Sequence, residues 1–170
     1  MLDVRSPLVD DSGFTTQGIH LREDAGFTLT QVAGTEKGIK KLLVKVPAKV
    51  GSVSQNNGHQ ILRVGPKQFW LLGDAPPSSP GVYYTPLSSG RSRFALSGER
   101  ARAVLSSCMA IDFHPAQFKP GQFVMSGIHH TPVLVHCIEV DAFHIYVLRT
   151  FAQAVWEWLV DVAEGLKTDA

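Results

Sequence analysis

The chain has 170 residues, of which 44% are hydrophobic and 18% charged, with a formal net charge of +1. That is the length of one compact domain, or of two small lobes sharing a core, and the composition of an ordinary soluble globular protein. Near-neutrality excludes an overall field that would recruit nucleic acid or an anionic membrane. Two cysteines in apolar contexts without CxxC spacing, Cys108 and Cys137, argue against a disulfide framework or a thiolate metal site and for buried reduced thiols.

The opening "MLDVRSPLVDDSG" carries acids where a signal peptide needs lysines and then an apolar run. No later stretch reaches the apolar length of a membrane span, so the expectation is a cytoplasmic protein. Residues 1–17 are polar, with Pro7 and Gly13 and no sustained period, and read as an extended arm that orders only when something holds it. "GIHLRE" and "GFTLTQVAG", split by "EDAG", read as two strands around a turn. The period then lengthens. Thr35 caps a helix with Ile39, Leu42, Leu43 and Val46 on one side and Lys37, Lys40, Lys41 and Lys45 on the other, stopped by Pro47. Those lysines are read as a solvated face rather than a phosphate patch, since neither aromatic nor glycine-rich partners accompany them. "HQILRVG" and "FWLLG" form a hairpin through Gly65-Pro66-Lys67-Gln68.

"DAPPSSPG", residues 74–81, is the strongest punctuation in the chain and the expected boundary between lobes, although too short to separate independent domains. "GVYYTPL" and "SRFALSG" follow as strands. Ser97 is then expected to cap a helix with Glu99 in its first turn and Ala101, Val104, Leu105 and Cys108 on one face.

The stretch "IDFHPAQFKPGQF" sets Asp112 two positions before His114. Residues two apart do not face each other on a helix and diverge on a strand, and no nucleophile stands nearby, so a catalytic pair is the weaker reading. Asp112 is expected to accept from turn amides instead. A metal site among His129, His130, His136 and His144 is disfavoured in the same way: neighbours on a strand point to opposite faces, and no acid is placed beside them. "TPVLVHCIEV" and "FHIYVLR", joined at Asp141-Ala142, are apolar on both faces and read as central strands. Thr150 and Gln153 fit a capping box for a last helix with Phe151, Val155, Trp158, Leu159 and Val162 on one side, widened by Ala152, Trp156 and Ala163, and Gly165 at its end. So broad a face exceeds what one small sheet needs. Either an extra loop or the amino-terminal arm covers its margin, or a protein partner does, with Trp156 as the anchor.

Three stretches, "LSGERARAVLSSC", "IDFHPAQFKPG" and "RTFAQAVWEWL", in this order and spacing, resemble the gamma subunit family of heterotetrameric sarcosine oxidase, and "ILRVGPKQFWLLG" extends the resemblance over residues 61–164. Ala110 stands where relatives commonly have proline; residues 1–30 carry no signal. The resemblance implies the α+β fold of the aminomethyltransferase folate-binding domain: two small lobes of mostly antiparallel sheet with packed helices, at 18–75 and 81–170, after the arm at 1–17. It further implies a subunit without catalytic, cofactor-binding or metal residues of its own. The complex would oxidise an N-methyl amino acid such as sarcosine and pass the methyl carbon to tetrahydrofolate. FAD, FMN, NAD and zinc would belong to other subunits, and the large alpha subunit would be the chief partner. From the residues themselves, no GxGxxG, P-loop, GxSxG or zinc spacing occurs. The resemblance further implies that relatives performing folate-dependent transfer use a carboxylate in the folate cavity, and "YYTPLSSGRSR" has no acid to take that place. A structural subunit is therefore the first reading. The alternatives are a stand-alone folate-binding or one-carbon-transfer protein and a gamma-like subunit of an N-methylglutamate dehydrogenase.

Overall fold

The computed structural model describes residues 5–10, 13–43, 45–56, 58–74 and 77–166. In chain order they form β1 (Phe14–Thr16), β2 (Ile19–Glu23), β3 (Leu29–Gly34), α1 (Glu36–Leu42), β4 (Val53–Asn56), β5 (His59–Gly65), β6 (Gln68–Leu72), β7 (Val82–Pro86), β8 (Arg91–Ser97), α2 (Ala101–Cys108), β9 (Phe123–Ile128), β10 (Thr131–Glu139), β11 (Ala142–Leu148) and α3 (Ala152–Gly165). The fold is α+β, with two antiparallel sheets ordered β1-β2-β8-β11-β10-β9 and β4-β5-β6-β3-β7. The first unit comprises residues 1–25, 90–120 and 124–170; the second comprises 26–89 with 121–123.

This division cuts across the expected lobes at 18–75 and 81–170. β2 and β3, read as neighbours around a turn, belong to different sheets: β2 pairs with β8, Leu21 opposite Leu96, while β3 pairs with β6 and β7. The reason is burial. Ile19 and Leu21 alternate with exposed residues, and their apolar side completes a core whose other strands lie beyond residue 90. β7 likewise falls before the true boundary, because its register on β3 sets Tyr84 opposite Val32. The proline-rich stretch is a loop inside the second unit, where Thr35 N–H donates to the Gly81 carbonyl at 2.9 Å; residues 75 and 76 of it lie outside the described residues.

In the first unit α2 and α3 bury Val104, Leu105, Val155, Trp156 and Leu159 with Phe94, Val135, Phe143 and Ile145 of the sheet. The Trp156 ring meets Phe94 edge-on, centroids 5.4 Å apart, and is only 8% exposed. The expectation that Trp156 sits at an outer margin is thereby corrected: Trp158 of α3, and Phe151 just before the helix, turn outward instead. Part of the arm covers this edge. Leu8 is buried in the same core, Val9 N–H donates to Gln153 Oε1 at 3.0 Å, and Arg149 donates to the Arg5 carbonyl. Two expected caps are also absent. Gln153 is engaged with Val9 and Glu157, and a 3-10 turn at Arg149–Phe151 leads into α3 without a side-chain cap. Ser97 ends β8, and α2 starts after Arg100, also without one.

In the second unit α1 packs Ile39 and Leu43 against Val32, Ile61, Phe69, Leu71 and Val82. Its cap is the expected one, with Gly38 N–H donating to Thr35 Oγ1 at 3.2 Å. The hairpin of β5 and β6 also forms as expected, with an irregular register between Arg63 and Gly65.

Candidate functional site

Asp112 does not contact the His114 imidazole through a hydrogen bond; its carboxylate accepts from the His114 backbone N–H at 2.8 Å. The ring Nδ1 of His114 accepts in turn from Ala116 N–H at 3.2 Å, and the His114 carbonyl accepts from Phe118 N–H at 2.9 Å. Both side chains thus spend their acceptors on the turn, an arrangement that orders backbone and leaves the imidazole no acid to orient it.

The residue that organises this region is Arg102, which the sequence reading passed over. Its guanidinium, on a side chain 11% exposed, donates to Asp141 Oδ1 at 3.2 Å, to the Phe118 carbonyl at 3.1 Å and to the carbonyls of Phe113 and Val140. It also stands 5.1 Å from the Phe143 ring centroid. One planar cation with five donors therefore ties α2, the turn after Asp112 and the β10–β11 connection together. A signal was present: Arg102 lies three residues before Leu105, at the edge of the apolar stripe of α2. The same packing disarms the thiols. Burial raises the Cys137 thiol, opposed by Arg102, and pushes Cys108 up to about 11, so neither is a thiolate nucleophile at neutral pH.

The second constellation is polar and buried, on the side of the first sheet opposite its apolar core. His136 on β10 and His144 on β11 are direct cross-strand partners, and Tyr146 stands opposite Arg93 of β8. Asp24, immediately after β2, donates its N–H to the Arg93 carbonyl at 2.8 Å and accepts from the Arg93 guanidinium at 2.9 Å. It is the acid that sequence spacing could not place beside the histidines, because it arrives from the far end of the chain; its Oδ2 is 3.5 Å from His144 Nε2. Burial first, then His144 and Arg93, lowers His136 to about 4; burial and Arg93, against Asp24, hold His144 at about 4. Both rings are neutral at pH 7, so the approach of His144 to Asp24 is not an ion pair there. Bases this weak take few protons near neutrality. Neither Nδ1 has a hydrogen-bond partner among the described residues. Burial also raises the Tyr146 phenol, with Arg93 opposing. The cluster is a desolvated electrostatic tie between β2, β8 and β11 rather than an acid–base pair poised near pH 7.

His129 and His130 occupy the β9–β10 turn, both in left-handed backbone with φ of 42° and 69°. Among the described residues no group of three or more His, Cys, Asp or Glu side chains is gathered to hold a metal ion. No helix among them is long and apolar enough to cross a membrane.

With this geometry in hand, two solved structures share the fold. Heterotetrameric sarcosine oxidase from Corynebacterium sp. U-96, in complex with pyrrole 2-carboxylate, superposes with a TM-score of 0.81 at 21% identity over 95% of each chain. Glycine cleavage system aminomethyltransferase T from Bartonella henselae does so with a TM-score of 0.64 at 17% identity, over 84% of this chain but 45% of that one. No curated protein sequence matches. The fold is therefore of the class that aminomethyltransferase T shares with a sarcosine oxidase subunit. More particularly, residues 82–165, from β7 through α3, match the model of the sarcosine oxidase, gamma subunit family.

Proposed function

We propose that the chain is the noncatalytic gamma subunit of a sarcosine oxidase-like heterotetramer. In this reading the complex demethylates an N-methyl amino acid, with sarcosine as the first substrate to test, and hands the methyl carbon to tetrahydrofolate. FAD, FMN, NAD and zinc are held by other subunits, the large alpha subunit is the principal partner, and the complex works in the cytoplasm. The observation that supports the reading is one of extent: the family match falls on β7 through α3, while the likeness to a sarcosine oxidase chain runs over 95% of both chains. The alternative of a stand-alone folate-binding or one-carbon-transfer protein rests on a likeness that spans 45% of aminomethyltransferase T, and so on about half of such a protein. Substrate choice, including N-methylglutamate instead of sarcosine, falls to another subunit.

The test is co-expression. The purified chain alone is expected to be colourless, to leave sarcosine untouched and to give no saturable response to tetrahydrofolate; co-expressed with the other oxidase subunits it is expected to elute with them in one active complex. A flavin band that survives gel filtration of the lone chain, or tight folate binding by it, would favour the stand-alone reading.

A further inference from the structure

The subunit reading implies that part of the surface meets other subunits, and α3 carries features that its own stability does not explain. Trp158 is turned outward, 37% exposed, yet its indole is braced: the His129 ring stacks on it with centroids 4.3 Å apart and 26° between planes. His129 and His130 hold left-handed backbone, which hairpin turns usually assign to asparagine and glycine. Strained backbone of this kind persists only where surroundings impose it, and it gathers at functional surfaces.

Charge supplies the second observation. Every charged side chain on α3 is acidic, and Glu157, Asp161 and Glu164 are all exposed, spaced four and then three apart so that they share one side of the helix beside Trp158. A helix arranged for its own dipole has acids in the first turn and cations in the last; α3 has neither. Like charges four residues apart also repel. Gln153 Nε2 donates to Glu157 Oε1 at 2.7 Å, yet the stripe as a whole still departs from the pattern that the helix dipole favours, as a surface shaped by something else does.

We propose that Trp158, braced by His129 and flanked by Glu157 and Asp161, is the docking surface for a cationic segment, bearing arginine or lysine, of another subunit of the complex. The inference rests on the subunit reading above. A guanidinium laid over the indole gains from the ring face and from both carboxylates at once. Anionic partners such as nucleic acid are repelled by the same stripe. A second copy of the chain, whose α1 exposes Lys37, Lys40 and Lys41, is the competing occupant.

Two variants test the surface in the full-length chain: Trp158→Ala, and the pair Glu157→Gln with Asp161→Asn, which keeps helix-forming side chains. Circular dichroism establishes that each is folded. Co-expressed with the other oxidase subunits, both are expected to weaken assembly at least about tenfold, and added salt is expected to weaken the wild type in the same direction. If the wild type assembles and both folded variants assemble equally well, the surface is wrong while the subunit reading stands. If the wild type does not assemble at all, the subunit reading fails and with it the assignment to another subunit; tri-arginine amide added to the lone chain then tests the cation site by itself, where a salt-sensitive change in tryptophan fluorescence that the Glu157→Gln, Asp161→Asn pair abolishes supports the site and no such change overturns it. Self-association of the lone wild type that Trp158→Ala converts to monomer overturns the assignment to another subunit in favour of a second copy.

Discussion

In the first unit two helices lie with a six-stranded sheet, and α3 alone contributes Ala152, Val155, Trp156, Leu159 and Ala163 to the core. In the second, a five-stranded sheet has one helix of seven residues, which buries Gly38 and Ile39 and relies on the Thr35 cap and on Leu43 just past its end. The contrast separates two sources of helix stability. α3 lacks a side-chain cap and charges suited to its dipole, and is held by packing; α1 has the cap, an acid in its first turn and lysines in its last, because so short a helix gains little from burial alone. The first unit also carries Arg102 and Arg93, whose side chains are 11% and 14% exposed, while in the second unit Arg63 donates to the carbonyls of Pro47, Ala48 and Pro66.

Four substitutions or titrations sharpen this contrast. The largest effect is expected from Trp156→Ala, which removes the edge contact with Phe94 and leaves a cavity, for a loss of about 4 kcal/mol in urea unfolding. A loss under about 1 kcal/mol would mean that α3 is not held by this contact. Arg102→Ala is next, at about 3 kcal/mol, since it strands the carbonyls of Phe113 and Phe118 along with Asp141. Arg102→Lys should recover only part of it, because an ammonium cannot reproduce the planar fork; full rescue by lysine would reduce the role of Arg102 to bare charge.

The histidines give a pH signature confined to the first unit. Unfolded histidine titrates near 6.5, whereas folded His136 and His144 are lowered to about 4. Between these values the unfolded state binds more protons, so stability is full above about pH 6.5 and falls as pH drops toward 4, by up to about 1.4 kcal/mol per pH unit for each ring. Melting temperatures from pH 7 to pH 4.5 of the wild type and of His136→Gln should show a shallower fall in the variant; parallel curves would refute the account. The smallest effect belongs to the second unit, where Thr35→Ala should cost about 1 kcal/mol, read through Trp70 fluorescence in a chain carrying Trp156→Phe and Trp158→Phe.

Local features were legible and distant pairings were not. The Thr35 cap, the β5–β6 hairpin and the turn role of Asp112 depend on residues within a few positions of one another, where spacing determines who can touch. The sheet partner of β2 and the arrival of Asp24 beside His144 depend on residues about 70 and 120 positions away in the chain, on which alternation is silent: it reports which side of a strand is apolar, not which strand lies beside it. Trp156 and Trp158 were misassigned for a related reason. A face this wide has two edges, and the arm through Leu8, together with the buried ring of Phe94, decides which tryptophan turns inward. Arg102 was missed because a long cation at the edge of a stripe reads as solvated unless its acceptors are visible.

The discontinuous first unit has a consequence for synthesis on the ribosome. The β1–β2 hairpin emerges first but must wait for β8 before Ile19 and Leu21 find their core, and the whole of residues 26–89 is made in between. The later unit in name is thus nearly complete first, lacking only the short segment 121–123, while the early hairpin is held in reserve with its apolar side unmatched. A chain stalled shortly after β7 should therefore expose a sticky amino terminus beside a largely formed second sheet. A chaperone that shields β1 and β2 during that interval would raise the yield of folded chain without touching the finished molecule.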